Sequence, residues 1–230
     1  MYELVIGFDE ILCAILLFLW VIAVVRVISK KAYDFMISKG FRHNVAVYYN
    51  RKIIHIAAGG LVALLVPYVF KTPMLPLMFA SLLAIFTYIP HRRNKLMFWF
   101  QTPDNIYEVH FCIMWGLIIM LGWVISEGNF WFGVLPVLFM ALGDAITGLV
   151  RNTIYKKRTK SWWGNLAMAS LSIPLGAVLG IAGMVAGAIA SIVEHFEIGP
   201  IDDNILVPLT SFTILTLTLI YAPWLLSLEI

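Results

Sequence analysis

Uncharged apolar stretches divide the chain at roughly 11–29, 53–70, 74–90, 109–126, 130–150, 165–179, 182–196 and 205–226. Most can cross a hydrocarbon core of about 30 Å at about 1.5 Å per residue. They lack the strict alternation of barrel strands, so the pattern predicts helices. The expected fold is an all-α, polytopic integral membrane bundle of about eight transmembrane helices, with seven as the alternative count. The stretch Trp162–Val193 decides between the two counts. As one rod it would reach roughly 48 Å, too long for one upright span. Pro174, Gly176, Gly180, Gly183 and Gly187 offer break points, and a break near Gly180–Gly183 gives two short helices. The same glycines also read as close-packing positions of the GxxxG kind.

Composition agrees. Of 230 residues, 61% are hydrophobic and 13% charged, with a mean hydropathy of +0.90. Soluble domains average about 25% charged. One soluble core of this size could not bury so much apolar surface. An ordinary soluble enzyme, a nucleic-acid module and a disordered tail are excluded. A net charge of +3 gives no reason to expect a nucleic-acid partner. Cys13 and Cys112 lie inside apolar runs and build neither a disulfide framework nor a zinc motif. The N-terminus lacks a basic region before the first apolar run, which predicts a retained helix and not a cleaved signal.

The placement of charge orients the bundle. With eight spans, the segments after spans 1, 3, 5 and 7 share one side. Lys71 alone, among 16 Lys and Arg, falls on the other side. The positive-inside rule places the basic loops in the cytoplasm and both termini outside. If the source is prokaryotic, the membrane is the plasma membrane. Residues 1–230 read as one integral membrane domain. The longest polar stretch, Ser29–Lys52, has room for one amphipathic helix lying at the membrane surface.

Polar residues kept in or beside lipid need a reason. Four groups qualify, all on the side assigned to the cytoplasm. Arg51, Lys52 and His55 open span 2 at helical spacings that share a face. They fit a phosphate-binding edge or a plain juxtamembrane anchor. Asp144, in Gly143–Gly148, ends a long uncharged run. It needs a cation, a metal or a basic partner. The loop from Arg151 to Gly164 carries Arg151, Lys156, Lys157, Arg158, Lys160 and the hydroxyl of Ser161. Such groups suit polyanionic phosphates, although basic loops are also the ordinary topological signal. Trp162 and Trp163 read as interfacial anchors. Glu194 and His195, followed by Asp202, Asp203 and Asn204, make an acidic segment. Carboxylates beside an amide suit Mg²⁺; a solvated loop with Asn204 capping span 8 is the plainer reading. Together the four groups supply what phosphoryl transfer needs: charge for phosphates and carboxylates for a divalent metal.

The series RKIIHIAAGG, GDAITGLV, KSWWGN and EHFEIGPIDDNILVP resembles the dolichol kinase, phytol kinase and CTP-dependent diacylglycerol kinase family, over roughly residues 50–210. The resemblance implies transfer of the γ-phosphoryl group of CTP to a membrane lipid alcohol, with Mg²⁺ as cofactor. It implies catalytic roles for Asp144, Glu194 and His55. It implies phosphate binding by Arg51, Lys52, Lys160, Ser161 and Gly164, to which the basic loop adds Arg151 and Lys157, and metal binding by Asp144, Asp203 and Asn204. The chain departs from the family at Arg151 and Tyr155, where glycines are usual, and at Trp163, where an acidic residue is frequent. Arg151 would then clamp phosphate with its side chain. Two other readings stand beside this one. Phosphatidate cytidylyltransferases share the superfamily, but their longer acidic C-terminal signature is absent from this sequence. A cation- or proton-coupled transporter would use Asp144 and Glu194 as a path, but the charge gathers on one side and no inverted repeat is visible.

Overall fold

The computed structural model describes residues 6–155, 159–196 and 201–227. Among these residues it is all helical, and seven helices are long and apolar enough to cross a membrane. The chain is therefore an integral, multi-pass membrane protein. The helices are α1 (Phe8–Ser38), α2 (His43–Val69), α3 (Met74–Arg92), α4 (Tyr107–Ile125) and α5 (Trp131–Tyr155), then Trp162–Val193, then Asp203–Tyr221.

The sixth stretch is bent back on itself. Helix α6 (Trp162–Gly176) runs into a short 3₁₀ turn at Ala177–Leu179, and α7 (Gly180–Val193) returns beside it. Gly180 turns the chain with φ +71°, a value that side-chain-bearing residues rarely adopt. The arms are antiparallel: a Cβ on Gly176 would strike Gly183, and one on Gly187 would strike the backbone of Ser172. The glycines thus serve both expected purposes. Gly180 breaks the helix, and Gly176, Gly183 and Gly187 let the arms touch. At about 22 and 21 Å, each arm is shorter than the roughly 30 Å core. The last long helix, α8 (Asp203–Tyr221), starts beside the open ends of the arms and finishes at their tip, where Ser227 N–H donates to Leu179 C=O at 3.3 Å.

Helix α5 is the centre. Phe132, Val134, Leu135 and the run Val137–Ala141 are fully buried, as an all-round apolar helix requires. Helices α4, α8, α2 and the hairpin pack on it. Gly122 of α4 and Gly133 of α5 bring their backbones into direct approach. Three π turns interrupt the helices, at Val24–Ile28, His55–Gly60 and Phe139–Gly143, and the second and third lie against each other. A π turn leaves carbonyls that the helix does not satisfy, and lipid offers no water to satisfy them. Indoles do so here. Trp20 Nε1 donates to Ala57 C=O at 2.8 Å, Trp115 Nε1 to Gly59 C=O at 3.0 Å and Trp99 Nε1 to Val25 C=O at 3.0 Å.

The polar segment Ser29–Lys52 departs from expectation. It does not form a separate surface helix. Its two halves continue α1 and α2 beyond the spans and pack on each other across a turn at Gly40, where φ is +83°. Asn50 fixes the pair by donating to Ser29 C=O at 2.7 Å and to Trp99 C=O at 2.8 Å.

Candidate active site

The two adjoining π turns set the site. One begins at His55, and the other ends just before Asp144. They bring the RKxxH face of α2 against the last turns of α5. Lys52 Nζ lies 2.7 and 2.6 Å from the two oxygens of Asp144, and His55 Nδ1 lies 3.1 Å from Oδ2. Lys52 also stands over the Tyr48 ring at 5.1 Å. The His55 ring stacks on Phe111 with centroids 4.3 Å apart. Gly148 gives the lysine its room, because a Cβ there would collide with Lys52 Cε.

A second pair crosses from α5 to the hairpin. Arg151 grips Glu194 with two nitrogens, at 2.8 and 2.6 Å, and donates to Asn165 Oδ1 at 3.0 Å. Asn165 Nδ2 donates to Ser191 C=O and, at 3.3 Å, to Glu194 Oε2. His195 Nδ1 lies 3.1 Å from Asn165 Oδ1, and its ring is stacked on Trp162. Gly164 is the clearance for Arg151, since a Cβ there would meet Nε. Lys160 Nζ then bridges Glu194 Oε1 at 3.1 Å and Asp203 Oδ2 at 3.3 Å. Burial raises the Glu194 carboxyl above its usual range, and Lys160 and Arg151 pull it back only in part. Burial and the neighbouring Asp203 also raise Asp202, against the pull of His110.

These contacts gather three carboxylates. One oxygen each from Asp144, Glu194 and Asp203 lie within 4.8 Å of one another. All three are hard oxygen donors, the class of ligand that divalent cations such as Mg²⁺ take. Lys52, Arg151 and Lys160 balance the three negative charges, and both lysine ammonium groups lie directly on carboxylate oxygens of the cluster. Asn204 Nδ2 donates to Tyr107 C=O and Asp202 Oδ2, both at 3.4 Å, while its Oδ1 is buried without a hydrogen-bond partner and the residue lines the same cavity as the carboxylates.

The other expected residues fall out as follows. Arg51 faces the α3–α4 loop, donating from Nε to Phe100 C=O at 2.8 Å and from its terminal nitrogen to Thr102 at 3.1 Å and Asn105 at 3.0 Å. Arg151 is held by Glu194 and Asn165 within the protein and lines the cavity described below. Ser161 Oγ is buried without a partner. Lys157 lies outside the described residues, as do Lys156 and Arg158. Sequence reasoning missed Asn165 and Tyr48. Asn165 closes the KSWWGN motif, and the pairing of its neighbour Gly164 with a buried arginine is the signal that points to it. Glu108 was also passed over. Its Oε1 lies 2.6 Å from His91 Nε2 and accepts from Gln101 at 2.7 Å, with Arg51 at 3.9 Å from Oε2.

The carboxylate cluster and its basic partners line a cavity of about 400 Å³. Its polar end carries Lys52, His55, Asp144, Lys160, Glu194 and Asp203. Its other arm is apolar and runs between α1, α2, α3 and α4, past Val62, Phe79 and Trp115 to Phe70 and Pro76. Ligand sites combine an apolar lining with a few converging polar groups in this way. The chain matches no known family model, no curated protein and no solved structure.

Proposed function

We propose that the protein is a lipid-alcohol kinase that transfers the γ-phosphoryl group of CTP to the hydroxyl of a membrane alcohol of the polyprenol or dolichol type. The observation that carries this reading is the cavity, charged at one end and apolar along the other. It suits a substrate with a polar head at the membrane edge and a chain in lipid. The motif resemblance supplies the nucleotide and the acceptor class.

In this reading the triphosphate enters at the charged end. Lys52 and Lys160 exchange their carboxylate partners for phosphate oxygens, as ammonium groups on flexible stems can. Asp144, Glu194 and Asp203 would hold Mg²⁺, which when bound offsets the charge of the β- and γ-phosphates. Arg151 and Asn165 hold Glu194 in place throughout. The alcohol oxygen attacks the γ-phosphorus, the bond from that phosphorus to the bridging oxygen of CDP breaks, and CDP leaves. His55, beside Asp144 and stacked on Phe111, takes the hydroxyl proton in this reading. Such a transition state depends on positioning and charge stabilisation more than on strong base help.

The test is product identity. Purified protein in lipid nanodiscs, given CTP, Mg²⁺ and a polyprenol, should yield polyprenyl monophosphate and CDP by mass spectrometry. A CDP-lipid formed from CTP and phosphatidate would replace this reading with cytidylyl transfer. Cation flux into liposomes without nucleotide would replace it with transport.

A further inference from the structure

We propose that the apolar arm of the cavity is a length gauge for the acceptor's hydrocarbon chain, with Phe70 as its floor. This inference rests on the kinase reading for the identity of the occupant. The arm begins where His55 meets the carboxylate cluster and ends against Phe70 and Pro76. Along α2, His55 to Phe70 spans about 22 Å at roughly 1.5 Å per residue. That is more than half of a hydrocarbon core of about 30 Å, so a chain lying in the arm passes the bilayer midplane.

Sequence keeps the arm open. Ala14 of α1, Ala58 and Gly59 of α2, and Ala80 of α3 line it with almost no side chain. A Cβ on Gly59 would drive into the Phe111 ring, so this glycine lets α2 pack directly on α4 at the wall of the arm. Larger side chains at Ala14, Ala58 and Ala80 would narrow the arm.

The floor is fixed and polar beneath. Phe70 is buried at the C-terminal end of α2. The next residue, Lys71, donates its backbone N–H to Glu10 Oε1 at 3.2 Å, tying the floor to α1. Glu10 is itself buried, as is the hydroxyl of Thr72. An apolar chain pushed past Phe70 would desolvate these groups, which is unfavourable. Chains that reach the floor gain contact with each added carbon, and longer ones must leave sideways between helices.

The experiment uses a series of primary alcohols of increasing length, each with a diazirine at the end remote from the hydroxyl. They are photolysed with the full-length protein in nanodiscs, and adducts are mapped by mass spectrometry. Chains of matching length should label Phe70, Pro76 or Ala14. Val62→Phe, which blocks the arm midway, should lower labelling there, relative to a shorter alcohol, by about tenfold or more. Phe70→Ala, a change that only removes bulk, should move the optimum to longer chains. Adducts confined to lipid-facing residues such as Leu12 and Leu82, or an optimum indifferent to Phe70→Ala, would overturn the gauge. Floor labelling without phosphoryl transfer would sink the kinase reading and leave the gauge standing; transfer without floor labelling would do the reverse.

Discussion

Lys52 and Asp144 stand 92 positions apart in the chain, yet the ammonium of one lies 2.7 and 2.6 Å from both carboxylate oxygens of the other. Both side chains are buried. The pair joins the start of α2's apolar run to the C-terminal part of α5, and it is the hinge between fold and proposed chemistry.

Breaking this pair from one side leaves an uncompensated buried charge, which costs about 3–5 kcal/mol. Asp144→Asn and Lys52→Met should each lower the unfolding midpoint in detergent. The double change Lys52→Met with Asp144→Leu should recover most of that loss, because no charge is stranded. It should not recover phosphoryl transfer. A double variant as unstable as the singles would show that the pair is not the source of the cost.

The hairpin depends on Asn165 in a different way. Its amide serves Arg151, Glu194 and Ser191 together. Asn165→Ala strands part of this buried network and should cost about 1–3 kcal/mol. Gly164→Ala should be comparably harmful although it removes nothing, since the new methyl meets Arg151 Nε. Thermal denaturation of the two variants beside Leu166→Ala, an exposed neighbour, separates these effects from general disturbance of α6.

Much of this was legible in the chain. The apolar runs mark the spans, and the break in Trp162–Val193 sits at Gly180, within the expected interval. Lys52, His55, Asp144, Lys160, Glu194 and Asp203 meet at one end, as their shared side required. The partners were less legible. Arg151 reads as a phosphate-binding residue in a basic loop, and its pairing with the buried Glu194 is not legible, because helical spacing says nothing about such a neighbour. The polar half of α2 reads as a surface helix because its buried face, with Ala46, Val47 and Asn50, is narrow and is covered only by tertiary packing. The cavity's apolar arm was invisible, since alanine and glycine in an apolar run read equally as packing positions.

Acidification should weaken cation binding in a defined direction. Glu194 titrates above the ordinary glutamate range because burial disfavours its charge. A protonated carboxyl does not ligate, so affinity falls as pH falls, and the fall begins at higher pH than for an exposed glutamate. Mn²⁺ binding followed by electron paramagnetic resonance, from mildly alkaline to mildly acidic buffer, reads this directly. Glu194→Gln should flatten that part of the profile. An unchanged profile in this variant would remove Glu194 from the cation site.

Gly180 offers a test of the hairpin alone. Its φ of +71° with ψ of −154° is a conformation nearly confined to glycine, and Gly180→Ala should cost about 1–3 kcal/mol. Because the tip lies at the far end from the carboxylates, the loss should appear in thermal stability while Mn²⁺ affinity stays within twofold or so of wild type.

The most direct measurement is transfer of label from γ-³²P-CTP to a polyprenol by the purified protein in nanodiscs, beside Asp144→Asn. The account predicts a labelled lipid monophosphate from the wild type and a loss of about 10²-fold or more in the variant, the scale set by removing one charge-stabilising group. Unlabelled lipid with CTP intact across the alcohol series, or equal transfer by Asp144→Asn, would contradict it.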